Sequence, residues 1–150
     1  WEGTTNVLSL DLLRAVRKDG ALDALFREAQ RALAQAKDGA LTPCVAGATR
    51  ALARAQTWIA RTLETGADSA RVQASARRFA LTLGRTLSLT LLVEHAQWCL
   101  DQGRGPRALY AARRFLSHGV DALSAFDVVG TLDPAESTAL AAAGDENRGS

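Results

Sequence analysis

Apolar residues recur every three or four positions along most of this chain, and the breaks fall at glycine, proline and Asp-Gly pairs. Such a pattern predicts helices joined by short turns. A first helix is expected from about Asn6 to Lys18, with Thr5 or Asn6 as its cap and Gly20 near its end. Beyond Asp19-Gly20, Leu22, Leu25, Phe26, Ala29 and Leu33 repeat at helical spacing as far as Lys37, and Asp38-Gly39 is expected to close that second helix. Thr42-Pro43 signals a third start, because threonine can satisfy free N–H groups while proline occupies a position that needs no donor. This helix is expected to reach about Thr65, with Ala48, Leu52, Ala55, Ile59 and Leu63 on one face and Arg50, Arg54 and Arg61 on the opposite one.

Asp68 or Ser69 is expected to cap a long fourth helix ending near Gln102. Its first half sets Val72, Ala76, Phe79 and Leu83 against Arg71, Arg78 and Arg85. From Leu87 the pattern changes, with Leu89, Val93, Ala96 and Leu100 on the side that carries arginine earlier, so the second half is expected to be buried nearly all round. After a turn at Gly103 and Gly105-Pro106, a fifth helix is expected to about Ser117 with Ala108, Leu109, Ala112, Phe115 and Leu116 inward. Gly119 ends it, Val120 to Phe126 is expected to pack on the bundle, and residues 131–150 read as a weakly structured tail. The expected fold is therefore all-α, an up-and-down bundle of about five helices.

Composition agrees with that pattern, since the chain holds 150 residues rich in alanine and leucine with only three prolines. The longest strongly apolar stretch, Leu87 to Val93, is far short of the ~20 residues a membrane span needs. Cys44 and Cys99 lie far apart with no signal-like start, which points to reduced, buried thiols in an intracellular protein. The net charge is only +2, yet residues 39 to 115 carry eleven arginines against four acids, which is +7, while residues 116 to 150 carry one arginine against six acids, which is −5.

The opening Trp1-Glu2-Gly3-Thr4-Thr5-Asn6, continued by Val7-Leu8-Ser9-Leu10-Asp11-Leu12-Leu13-Arg14, resembles the aromatic-Glu-Gly-Thr/Ser motif of acyl-CoA dehydrogenases, and of their AidB-like branch in particular. Glu94-His95-Ala96-Gln97-Trp98 and Ala111-Ala112-Arg113-Arg114-Phe115-Leu116 look similar to the same branch. The resemblance implies a division into residues 1–20, the end of a flavin-enzyme helical domain carrying the motif, residues 21–130, a carboxyl-terminal bundle, and the tail. It implies that Glu2 corresponds to the general base taking the α-proton of an acyl-CoA while hydride passes from the β-carbon to FAD. A carboxylate in a dry site suits that work, because burial raises its pKa toward working pH. By the same resemblance Gly3 lets backbone approach the acyl chain, and Thr4, Thr5 and Asn6 offer donors to FAD. The family's flavin site also draws on domains upstream of these residues, so the chain by itself is expected to retain no FAD and to lack dehydrogenase activity.

Arg50, Arg54, Arg61, Arg71, Arg78 and Arg85 could meet phosphates, and the AidB-like resemblance implies possible DNA contact. Against it stand the lack of helix-turn-helix spacing and of aromatic residues among the cations, so solvated faces or subunit ion pairs are the more ordinary expectation. Glu94 and His95 interrupt an apolar stretch; only His118 is taken to join them, no i, i+4 ligand pair or Cys-His spacing is recognised, and no metal site is expected. Glu94 is expected to be a buried carboxylate satisfied by an arginine or a main-chain amide. The expected function is thus the carboxyl-terminal helical module of an FAD-dependent acyl-CoA dehydrogenase, active in subunit packing within a homo-oligomer and in shaping the acyl site, in the cytoplasm or mitochondrial matrix. The rival expectation is a DNA-binding module.

Overall fold

The computed structural model describes residues 2–16, 21–65 and 70–123. Five α-helices run in order as α1 (Glu2–Val16), α2 (Ala21–Ala34), α3 (Thr42–Thr65), α4 (Ala70–Asp101) and α5 (Arg107–Ser117), and no strand occurs among the described residues. The all-α bundle is the one the periodicity predicts. Helix α4 is its axis: it packs against each of the other four, most extensively against α3. Its 32 residues make a rod of about 48 Å at ~1.5 Å per residue.

The buried positions of α4 follow one rule from end to end. Ser75, Phe79, Thr82, Thr86, Leu89, Val93 and Ala96 alternate steps of four and three, and the adjoining Ala76, Leu83, Thr90 and Gln97 are buried beside them. That is a seam with a period of 3.5 residues, the spacing that suits helices packed at a shallow left-handed angle. The change of face expected at Leu87 is the drift of about 20° per heptad between a 3.5 repeat and a straight 3.6-residue helix, and no real switch occurs. Contrary to expectation, the second half of α4 is not buried all round. Leu91 is 64% exposed and Trp98 44% exposed, on the stripe opposite the seam that also carries Leu81, Ser88 and His95.

Polar residues enter the seam because the helix itself satisfies them. The hydroxyl of Thr86 donates to the Thr82 carbonyl at 2.6 Å and that of Thr90 to the Thr86 carbonyl at 2.9 Å. The Thr82 hydroxyl oxygen faces the other way and accepts from the backbone N–H groups of Ala122 and Leu123 at 2.9 and 3.2 Å. This pair of bonds anchors the segment after α5, where Val120 and Leu123 are buried. Gly119 makes the preceding turn with a φ of +80°, a region glycine enters without strain. Replacing Thr82 with valine keeps its shape and removes the acceptor. The expected loss is about 1–3 kcal/mol in urea unfolding, together with faster amide exchange at Ala122 and Leu123.

Three helix boundaries differ from expectation. Helix α1 spans Glu2–Val16, so Thr5 and Asn6 lie inside it and not at its start, and Gly3 costs only about 1 kcal/mol there. Helix α2 ends at Ala34, ahead of Lys37. Asp38 does not close α2; it opens a 3-10 turn at Gly39–Leu41, its carboxylate accepting from the Ala40 N–H at 2.7 Å, and Thr42 is already helical with φ −48° and ψ −46°. The capping role expected of Thr42 therefore belongs to Asp38, because the 3-10 turn runs directly into α3. The expected caps Asp68 and Ser69, and the tail from residue 124, lie outside the described residues.

Helix α3, which packs most extensively on α4, buries Ala48, Ala51 and Ala55, whose small side chains allow close approach, together with Leu52 and Ile59. Trp58 stacks on the fully buried Phe79 at 4.8 Å between ring centroids. The core continues through Phe26, Ala29 and Leu33 of α2 and Leu109 and Ala112 of α5. Cys44 and Cys99 are buried free thiols, as expected.

Candidate functional site

Two helices of unequal bulk leave a trough on one side of the bundle. Helix α2 presents Ala29 and Ala32, the link after it Ala36, and α4 Leu87, Thr90 and Leu91, so little side-chain volume fills the space between them. A cavity of about 230 Å³ lined also by Leu25, Glu28 and Glu94 continues into one of about 490 Å³ lined by Gln35, Lys37, Gln97, Trp98 and Asp101, the two sharing Ala32 and Glu94. A third, of about 150 Å³, extends the trough past Leu25 to Leu12, Val16 and Leu83. The floor is apolar and the rim is polar. On the rim, Arg31 donates twice to the Glu28 carboxylate at 2.8 and 2.5 Å, and this bond holds the Glu28 pKa below its ordinary value and raises that of Arg31.

Gln97 closes the wide end. Its side-chain oxygen accepts from the backbone N–H groups of Lys37 and Asp38 at 2.7 and 2.9 Å, and its side-chain nitrogen donates to Asp101 at 2.8 Å. One buried amide thus ties the link after α2 to the end of α4 and fixes the trough's width there. On the opposite flank, Arg113 of α5 donates through two nitrogens to the Ala40 carbonyl at 3.1 and 2.8 Å. Cys44 nearby is wholly buried, and burial pushes its thiol pKa up, opposed by the Arg113 charge.

The expected status of Glu94 and His95 changes. Glu94 is half-buried and lines both large cavities, and His95 is exposed. His95 also has the i, i+4 neighbour that the sequence reading passes over: its Nε2 lies 3.6 Å from the Cys99 sulfur. The ring stacks on Trp98 at 5.8 Å between centroids, and the Arg104 guanidinium sits 4.4 Å from the centroid of the Trp98 ring.

The six arginines proposed from sequence do not form one free basic face. Arg54 pairs with Asp121 at 2.7 Å, and Arg85 donates to the Gly119 carbonyl at 3.4 Å, so two of them hold the segment after α5. Arg61 and Arg78 also have partners within the molecule, Arg50 is exposed, and the Arg71 side chain lies outside the described residues. Glu2, Gly3, Thr4, Thr5 and Asn6 lie on the first turns of α1, their side chains likewise outside the description. Their roles toward an acyl-CoA and FAD rest on the motif alone.

No described helix is long and apolar enough to cross a membrane. Among known proteins, a family model described as acyl-CoA dehydrogenase 11 C-terminal domain-like matches residues 20–136, which leaves the Trp-Glu-Gly-Thr stretch outside the match. No curated protein and no solved structure matches.

Proposed function

The chain belongs to the acyl-CoA dehydrogenase 11 C-terminal domain-like family, and from that premise we propose that it is the carboxyl-terminal helical module of an FAD-dependent acyl-CoA dehydrogenase whose own work is architectural. Its task is to pack against a second subunit and to shape the approach to the acyl site in the intact enzyme. The observation that carries this reading is the exposed apolar stripe Leu81, Leu91 and Trp98 on the helix that organises the bundle, contiguous through Leu91 and Trp98 with an apolar trough. Exposed apolar side chains beside a recess are the kind of surface that subunit contacts cover.

Glu2 as general base, Gly3 against the acyl chain, and Thr4, Thr5 and Asn6 toward FAD are part of the same proposal, supported by the motif. So are the AidB-like branch, supported by the Glu94 to Trp98 and Ala111 to Leu116 stretches, and an intracellular location. The DNA-binding alternative is the weaker proposal, because Arg54 and Arg85 are engaged with the segment after α5.

Sedimentation velocity across a concentration series tests the packing role. The chain is expected to self-associate, and Leu91→Glu is expected to weaken association at least tenfold without loss of helicity, because it places a charge in the centre of an apolar contact. A chain that stays monomeric at all concentrations overturns subunit packing. Binding to duplex DNA with a log-log salt slope of about −0.9 per neutralised phosphate would favour the alternative.

A further inference from the structure

We propose that this chain binds a second copy of itself across a two-fold axis, with the acidic wall of the α2–α4 trough in one copy against the arginine stripe of α5 in the other, and the reverse. The inference rests on the subunit-packing reading above and names the surfaces that carry it. Glu94 and Asp101 stand seven residues apart on α4 and line the wide cavity of the trough, where Lys37 is the one opposing cation in the lining. Neither carboxylate makes an ion pair among the described residues, and the Gln97 amide that donates to Asp101 leaves its charge in place. Two turns of helix set the pair about 10 Å apart along the axis.

The opposite charge repeats at the same interval on α5. Between Asp101 and Asp121 the chain has four arginines and no acidic residue. Arg107 and Arg114, also seven residues apart, are exposed on the side of α5 away from the buried Leu109 and Ala112, with the exposed Tyr110 between them. Neither arginine makes an ion pair among the described residues. Two helices laid side by side with these stripes facing bring both charge pairs into register, and complementary charge of this kind fixes register and suppresses wrong partners.

The two patches adjoin. Trp98 lines the wide cavity and carries the Arg104 guanidinium 4.4 Å from its ring centroid, and Arg104 leads through Gly105-Pro106 into Arg107. A surface whose acidic and basic halves meet can face its own copy across a two-fold axis, each half against its opposite. The axis then falls near the Trp98–Arg104 contact, and the half-exposed indole supplies the apolar centre that subunit contacts favour. A polyanion would satisfy the α5 half alone and be repelled by Glu94 and Asp101, so the pairing of the halves favours a second copy.

Charge reversal and mixing, read by sedimentation velocity on the full 150-residue chain, test the assignment. Glu94→Lys and Arg107→Glu are each expected to weaken self-association at least tenfold, because two-fold symmetry counts each reversal twice. An equimolar mixture of the two variants is expected to recover affinity to within about fivefold of the native chain. In the mixed dimer the new lysine faces the new glutamate at one contact, and the native pair survives at the other. Raising salt from about 0.05 M to about 0.5 M is expected to weaken association of the native chain. Circular dichroism checks folding; Arg107→Glu places an acid in the first turn of α5, where the helix dipole favours it, and Glu94→Gln is the milder substitute if the lysine variant fails to fold, expected to weaken association less. Association that neither reversal alters, that mixing does not recover, or that salt leaves unchanged overturns this assignment and leaves the packing reading standing. A chain that stays monomeric at every concentration overturns both.

Discussion

Phe79→Ala is expected to lower the unfolding free energy by about 3–5 kcal/mol, read as a shift of the urea midpoint with little change in slope. Phe79 is fully buried, sits on the α4 seam and stacks on Trp58, so truncation removes a ring's worth of contacts and strands the indole beside a cavity. Alanines 48, 51 and 55 make up much of the buried face of α3, so that helix has little side-chain length with which to collapse into the space. That places the expected cost toward the upper part of the range. Phe79→Leu refills much of the volume and is expected to recover at least half of the loss. A cost below about 1 kcal/mol would mean that α3 and α4 are not packed as described, since stability of a whole domain is only about 5–15 kcal/mol.

Gln97→Ala is expected to cost about 2–4 kcal/mol, because two backbone N–H groups, of Lys37 and Asp38, lose their common acceptor. Gln97→Met keeps nearly the same volume and removes the same hydrogen bonds, so it is expected to be nearly as damaging. Equal losses in the two variants assign the cost to polarity, whereas full stability in the methionine variant would assign it to packing. The readout specific to this link is hydrogen exchange, with the Lys37 and Asp38 amides expected to lose protection first. The trough would widen at its polar end as the connection after α2 comes loose.

The two predictions also mark where the sequence was readable. Helix α3 is legible because Ala48, Leu52, Ala55 and Ile59 are uniformly apolar and Arg50, Arg54 and Arg61 uniformly charged, so the pattern alone orients it. Helix α4 is legible as a helix and not as an orientation. Thr82, Thr86, Thr90 and Gln97 count as polar in any hydropathy pattern, yet all four are buried, with hydroxyls bonded within α4 or to Ala122 and Leu123, and the amide bonded to Lys37, Asp38 and Asp101. Polar groups that find partners inside the fold lose the signature by which a pattern recognises the outside.

The site divides similarly. The Asp38 cap hides because Asp-Gly ends helices as readily as it begins 3-10 turns, and only the Ala40 bond decides between them. The spacing of His95 and Cys99 is plain in the chain and goes unused when cysteine is counted as a hydrophobe. The α2–α4 trough is not legible at all, because it depends on how far apart the alanines of one helix and the leucines of another come to rest. The arginines share faces that the pattern shows, whereas the commitments of Arg54 to Asp121 and Arg85 to Gly119 span 67 and 34 positions of chain and are not legible in any one helix.

The 3.5-residue seam of α4 sets how that helix can change length. Seven residues added at its solvent-facing midpoint, near Gly84 and Ser88, return every later side chain to its former facing, with the downstream half carried about 10 Å along the axis. A single added residue turns the downstream half by about 100°, swinging Val93 and Ala96 off the seam and separating Gln97 from the link it holds. Variation in the length of this rod is therefore expected to come in whole heptads, matched by compensating growth in the helices that flank it.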